Sequence, residues 1–248
     1  MLQPRQIIDP NHNTHEAEYD AFGRLWATSF YGTEMGNDVG FAPLDPDKRV
    51  WGGTATAVQS PANVLGARAN VYYYDGNITY DTGSIPYASA VLQADRYPGD
   101  AARQIRISLV SVDGFGRTLQ TRQQVEEGDA YAVDQYGEIE MEDGKPKIVH
   151  ASPRWRVSER VEYNNKGLPV RVYRPYFANN HIYVNDESLR LHGYFDRQFY
   201  DPLGRPTVTL TAKGWMRRQT YRTWYTISED ENDTAEEILA AKLDELQP

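Results

Sequence analysis

Ile105, Ile107 and Leu109 alternate with Arg106 and Ser108, and after a short polar break Thr118-Leu119-Gln120-Thr121-Arg122 continues an extended pattern. An apolar residue at every second position marks a half-buried strand. The same rhythm predicts strand and hairpin over residues 1–31, where an Asn-rich turn separates two strands. It recurs at Val71-Tyr72-Tyr73-Tyr74 before Asp75-Gly76-Asn77, and over residues 101–126, the clearest hairpin. Residues 129–150 read as a smaller hairpin with turns at Asp134-Gln135-Tyr136-Gly137 and Asp143-Gly144-Lys145-Pro146. Long strands are expected over 154–176 and 194–227. Within the last span, Trp215 to Tyr225 reads as one strand with no dry face. Trp215, Arg217, Gln219 and Tyr221 alternate with Met216, Arg218, Thr220 and Arg222. Two decorated faces suit a curled sheet that is wetted or covered on both sides, and equally an edge strand guarded by its arginines. Residues 32–65, rich in Gly, Pro, Asp and Ala, read as a loop-rich insertion. Only the tail, 233–248, is predicted helical. Thr234-Ala235-Glu236-Glu237 has the form of a capping box, and Ile238, Leu239, Lys242, Leu243 and Leu246 follow helical spacing.

One six-residue phrase punctuates the strands. It reads Tyr19-Asp20-Ala21-Phe22-Gly23-Arg24, then Val112-Asp113-Gly114-Phe115-Gly116-Arg117, Tyr163-Asn164-Asn165-Lys166-Gly167-Leu168 and Tyr200-Asp201-Pro202-Leu203-Gly204-Arg205. Asp or Asn can accept hydrogen bonds from the backbone of its own turn, and Gly three residues on adopts positive φ without a Cβ clash. The expected unit is a hairpin tip built on a type I turn with a glycine bulge. Pro202 fits its second position. The Tyr should pack at the strand end, and the Arg should pair across the hairpin. Asp-x-x-Gly also arises by chance at surface turns; recurrence with the same flanks argues for one reused unit. The glycines lie 93, 51 and 37 residues apart, too uneven for a fixed-rung solenoid.

Composition narrows the function classes. The chain has 248 residues, 18 of them Tyr, and a net charge of −9. Tyrosine suits strands that are dry at one end and wet at the other. The acidic balance argues against a nucleic-acid binder, despite aromatic and basic residues interleaved near Trp215. With no Cys, disulfides and thiolate metal sites are excluded. No apolar run is long enough to span a membrane, and the first residues lack a signal-peptide pattern. The chain is expected to be a fragment, since Ile7-Ile8-Asp9-Pro10-Asn11 begins almost in mid-strand. His12 and His15 have a metal-compatible spacing but no third ligand, and read as a surface pair. Paired carboxylates could serve a hydrolase, but the phrase aspartates already have a turn to hold. No nucleophile signature or phosphate loop stands out, and no cofactor is expected.

Several stretches together resemble the YD-repeats of RHS proteins, and more closely the C-terminal portion of the B subunit of bacterial insecticidal toxin complexes, the TcB family. They are Asp9-Pro10-Asn11-His12-Asn13-Thr14 running into the first phrase, Ser111 to Gln120, Tyr163 to Arg171 with Tyr173-Arg174-Pro175-Tyr176-Phe177, Thr211-Ala212-Lys213-Gly214-Trp215, and Glu229 to Thr234. The resemblance runs from about Leu2 to Thr234. It implies an all-β fold, an antiparallel RHS sheet of long hairpins forming part of a curved shell over 1–232, followed by the helical tail. It further implies a secreted, non-catalytic wall that an RHS-type C subunit completes around its cytotoxic polypeptide. Contact with the A subunit is expected only indirectly, because the family's docking propeller is not part of this sequence. No nucleic acid and no membrane span are expected. The alternatives are a carbohydrate-binding YD-repeat module, presenting exposed Tyr and Trp, and a carboxylate hydrolase.

Overall fold

The computed structural model describes residues 3–75, 86–158, 160–184, 190 and 193–239. Its regular structure is mostly β, and it divides into two compact units, residues 1–117 with 121–126 and residues 118–120 with 127–248.

The first unit holds β1 (Gln6–Ile8), β2 (Thr14–Tyr19), β3 (Leu25–Glu34), β4 (Asn37–Gly40), β5 (Asn70–Tyr74), β6 (Tyr87–Ala94) and β7 (Ile105–Val112). They pair antiparallel in the order β1-β2-β3-β5-β6-β7, with β4 folded back on β3. The alternation seen in sequence becomes a cross-strand layer: Ala27, Val71, Leu92 and Ile107 stand opposite one another in register, and so do Tyr73, Ala90 and Leu109. All are buried.

Residues 32–65 are not simply loop. Besides β4 they form a 3-10 turn at Pro46–Lys48 and two short helices, α1 (Thr54–Gln59) and α2 (Pro61–Leu65). Both helices contact β5 and β6, and they bury Ala57, Val64 and Leu65. Pro61 opens α2, where a missing amide proton costs nothing. Helices of five and six residues are too short to display a helical period, so tertiary packing rather than local pattern selects them. Two arginines then satisfy the carbonyls around the end of α2. Arg68 donates to Lys48 O at 2.7 Å and Val64 O at 3.3 Å, and Arg103 to Gly66 O at 2.9 Å. Burial lowers the pKa of Arg68; its guanidinium lies over the Trp26 ring, 5.4 Å from the centroid.

β8 (Thr118–Val125) is shared, its first three residues counted with the second unit. That unit continues with β9 (Gly128–Tyr131), β10 (Met141–Glu142), β11 (Lys145–Pro146), β12 (Ile148–Ala151), β13 (Arg154–Ser158), β14 (Val161–Tyr163), β15 (Pro169–Tyr173) and β16 (Tyr176–Ala178). It ends with β17 (Phe195–Tyr200), β18 (Pro206–Leu210), β19 (Met216–Tyr221) and β20 (Thr226–Glu229). Four strands run in the order β13-β16-β9-β12; six others form a sheet in chain order, β14-β15-β17-β18-β19-β20. Val133, Ile139, Val157, Tyr173, Ala178 and Val184 form a buried cluster. Gln120, fully buried, acts as a surrogate strand for Val184: its amide donates to Val184 O at 3.3 Å and its carbonyl accepts from Val184 N at 3.1 Å.

Three sequence expectations change here. The strands between 154 and 227 are short, three to six residues each. Trp215 to Tyr225 is not one strand: the chain turns at Arg222, whose amide donates to Tyr225 O at 2.9 Å. β19 is therefore interior, between β18 and β20, and its arginines guard no edge. The tail is helical at 235–239, but its cap is not Thr234. Asp230 and Asp233 cap each other reciprocally, Asp230 N to Asp233 Oδ2 at 2.9 Å and Asp233 N to Asp230 Oδ1 at 3.2 Å. The Thr234 hydroxyl instead turns inward to Met216 O at 2.5 Å. Lys242, Leu243 and Leu246, like Gly76 and Asn77 of an expected turn, lie outside the described residues.

Candidate functional site

The phrase folds the same way each time. Asp20 N donates to Arg24 O at 2.8 Å and Gly23 N to Asp20 O at 2.9 Å. One carboxylate oxygen of Asp20 accepts the amides of Phe22 and Arg24, both at 2.9 Å, and the other accepts Arg24 Nε at 2.8 Å. Gly23 has φ +76°. Asp113 with Arg117 and Asp201 with Arg205 repeat every one of these bonds, and Gly116 and Gly204 have φ +76° and +83°. Asn164 keeps the two amide bonds, to Lys166 and Leu168, and Gly167 the positive φ of +77°. Three of the hairpins carry a register shift just before the turn, at Tyr19, Tyr163 and Tyr200, as a bulge requires.

The arginine, expected to pair across the hairpin, closes back onto the aspartate of its own phrase. The tyrosine does more than pack. Tyr19 donates its hydroxyl to Pro4 O at 3.3 Å, Tyr163 to Thr118 O at 3.1 Å, and Tyr200 lies 2.7 Å from Pro169 O. Three of the four phrases are thus tied to backbone outside their own hairpins. Val112 takes this place in the second phrase and has no hydroxyl to give.

The same turn closes three more places that the sequence reading did not group with the phrase. At residues 9–13, Asp9 N donates to Asn13 O, with His12 at φ +62° where the glycine would be. At 134–138, Asp134 holds the amides of Tyr136 and Glu138. At 211–215, Thr211 Oγ1 accepts Trp215 N at 3.2 Å. Seven turns of one design occur among the described residues. The common signal is an acceptor side chain at the first position and a left-handed residue at the fourth. The arginine is optional. The third position points outward: Phe22, Phe115, Tyr136 and Leu203 are all exposed.

Charge is locked rather than available in these turns. Burial opposes ionisation of Asp20, but the Arg24 amide, its guanidinium and the Phe22 amide outweigh it and the pKa falls below its ordinary value. Asp113 behaves alike, with the Arg117 guanidinium as its largest stabiliser, and Asp201 is lowered first by the Arg205 amide. Carboxylates saturated this way are poor proton donors near neutral pH. A fourth cluster centres on Glu162, which accepts from Tyr173 Oη and Arg171 Nη1, both at 2.7 Å, and from Arg190 Nε at 3.0 Å. Against the cost of burial, these three donors hold Glu162 below the usual range, while burial and Glu162 together raise Tyr173. His12 sits in its turn and His15 packs against Phe30 with the rings tilted by 42° and their centroids 4.6 Å apart. Among the described residues, no three His, Asp or Glu side chains gather as a metal site. No described helix is long and apolar enough to cross a membrane.

No family model and no curated protein matches the chain. Solved structures do. The chain is 36% identical to a crystal structure of TcdB2–TccC3, with a TM-score of 0.82 over 96% of its length. It is 31% identical, with a TM-score of 0.80 over 95%, to a chain of the Photorhabdus luminescens Tc holotoxin pore. Its likeness is to a TcB-type RHS portion. This portion spans 11% and 13% of those two chains respectively. In this chain the repeated phrase encodes four of the seven turns, three of them with a tyrosine tether, and the similarity supports a structural role within a toxin complex.

Proposed function

We propose that this chain is a non-catalytic wall segment of a toxin-complex B subunit, and that an RHS-type C subunit completes the shell around its cytotoxic polypeptide. The observation that carries this reading is the match of sequence and fold to TcdB2–TccC3 along 96% of the chain. The seven self-closed turns support it: they commit the aspartates to holding hairpins together and leave them saturated with donors. Residues 1–232 are the wall, and 233–248 a tail anchored on β19 through Thr234 and the Arg218–Glu237 pair. The complex acts outside the cell that makes it, and the A subunit meets this segment only through other parts of the assembly.

Size-exclusion chromatography of the chain mixed with its C subunit tests the proposal. The expected result is one co-eluting peak containing both polypeptides. Two unshifted peaks at micromolar concentration would refute it.

A further inference from the structure

β20 ends its sheet with half of its backbone unused. Among the described residues it pairs with β19 alone, Thr220 opposite Ile227 and Arg218 opposite Glu229. Bonded and non-bonded pairs alternate along an antiparallel ladder. The Arg222–Tyr225 bond fixes that alternation, so Ile227 and Glu229 face β19, whereas the backbone groups of Thr226, Ser228 and Asp230 point away. Asp233 takes the Asp230 amide. Among the described residues, nothing accepts the amides of Thr226 and Ser228.

The surroundings of this edge are equally open. Trp224 is 92% exposed, Tyr225 60% and Ile227 43%. Soluble edge strands are normally guarded by charge, proline or a bulge; Thr223-Trp224-Tyr225-Thr226-Ile227-Ser228 has none of these. The sheet is laid down in chain order and finishes at β20. Four of the matched solved structures hold TcdB2 together with TccC3, and this portion is only 11–13% of the matched chains. Most of such a wall therefore lies outside it.

We propose, resting on the shell reading above, that β20 is a joining seam to which an extended strand of the C subunit adds. Its backbone bonds with Thr226 and Ser228, and its side chains pack on Trp224, Tyr225 and Ile227. Strand addition draws affinity from main-chain bonds, and an exposed Trp beside them is the kind of anchor that dominates an interface.

Ser228→Pro isolates the seam, because it removes an outward amide and no β19–β20 bond, and edge strands accept proline. Trp224→Ala removes the anchor without touching the core. In titrations against the C subunit, each variant should bind at least about tenfold more weakly than the unmodified chain at equal melting temperature. The Thr226 and Ser228 amides of the unmodified chain should exchange hydrogen far more slowly once the C subunit is bound. Failure of the unmodified chain to bind brings down the shell reading and the seam with it. Equal binding by both variants, with Thr226 and Ser228 exchanging as before, leaves the shell reading intact and overturns the seam. A dimer of this chain abolished by Ser228→Pro would overturn the C subunit as the occupant.

Discussion

A single carboxylate organises three of the hairpin tips: Asp20, Asp113 and Asp201 each receive two amides and an arginine, and the glycine three residues later lets the chain return. The glycines are not equivalent. At Gly23 and Gly116 an added Cβ would meet nothing within 4 Å, so alanine there costs only the left-handed conformation, about 1–2 kcal/mol. At Gly137 a Cβ would collide with the carbonyl oxygen of Tyr183 as well. Gly137→Ala should therefore lower the melting temperature clearly more than Gly23→Ala; equal losses would contradict the packing described for Gly137. The aspartates predict a pH dependence of definite sign. Asp20, Asp113 and Asp201 titrate below the ordinary 3.8 when folded, so the unfolded chain takes up protons first. Their contribution is complete above that value and disappears as pH falls through the lowered values. Replacing all three by Asn, which Asn164 shows can hold the same amides, should flatten the fall of the urea midpoint below about pH 4. Parallel profiles would refute it. The four phrases were legible because their chemistry is local. The turn at Asp134-Gln135-Tyr136-Gly137 and the Asn-rich turn near residue 11 were expected, but the kinship of the three further turns with the phrase was not legible, since His12 replaces glycine, Glu138 replaces arginine and Thr211 replaces aspartate. The tyrosine tethers were hidden too, because their acceptors lie 15 to 45 residues away.

Strands and hairpins followed from alternation, but the exceptions share a cause. α1 and α2 exist because a sheet face is there to be covered, not because five or six residues favour helix. The break after Tyr221 was invisible because Arg222-Thr223-Trp224-Tyr225 contains neither Gly nor Pro. The cap moved from Thr234 to Asp230 because a buried carbonyl, Met216 O, takes the threonine hydroxyl. Buried polar residues are the least legible of all. Nothing in the sequence marks Gln120 as the partner of Val184, 64 residues away. Gln120→Leu would strand both backbone groups of Val184 and should destabilise the second unit by about 1–3 kcal/mol, measured by urea denaturation. An unchanged midpoint would mean that Gln120 does not hold that segment. Thr234→Val should release the tail's first turn, seen as faster amide exchange at Ile238, whose amide bonds Thr234 O at 3.2 Å. Unaltered exchange there would remove Thr234 as the anchor.

Across the whole molecule, small ion pairs and turns are spent on holding hairpins in place, and the described carboxylates with lowered pKa are closed by donors of their own chain. That is the economy of a scaffold, and it agrees with the similarity to toxin-complex structures along nearly the full chain. Electron cryomicroscopy of this chain bound to its C subunit addresses the central claim most directly. The account predicts a particle enclosing a lumen, with the two large sheets of this chain built into its wall. A compact particle without a lumen, or this chain attached as an appendage to a shell already closed, would contradict it.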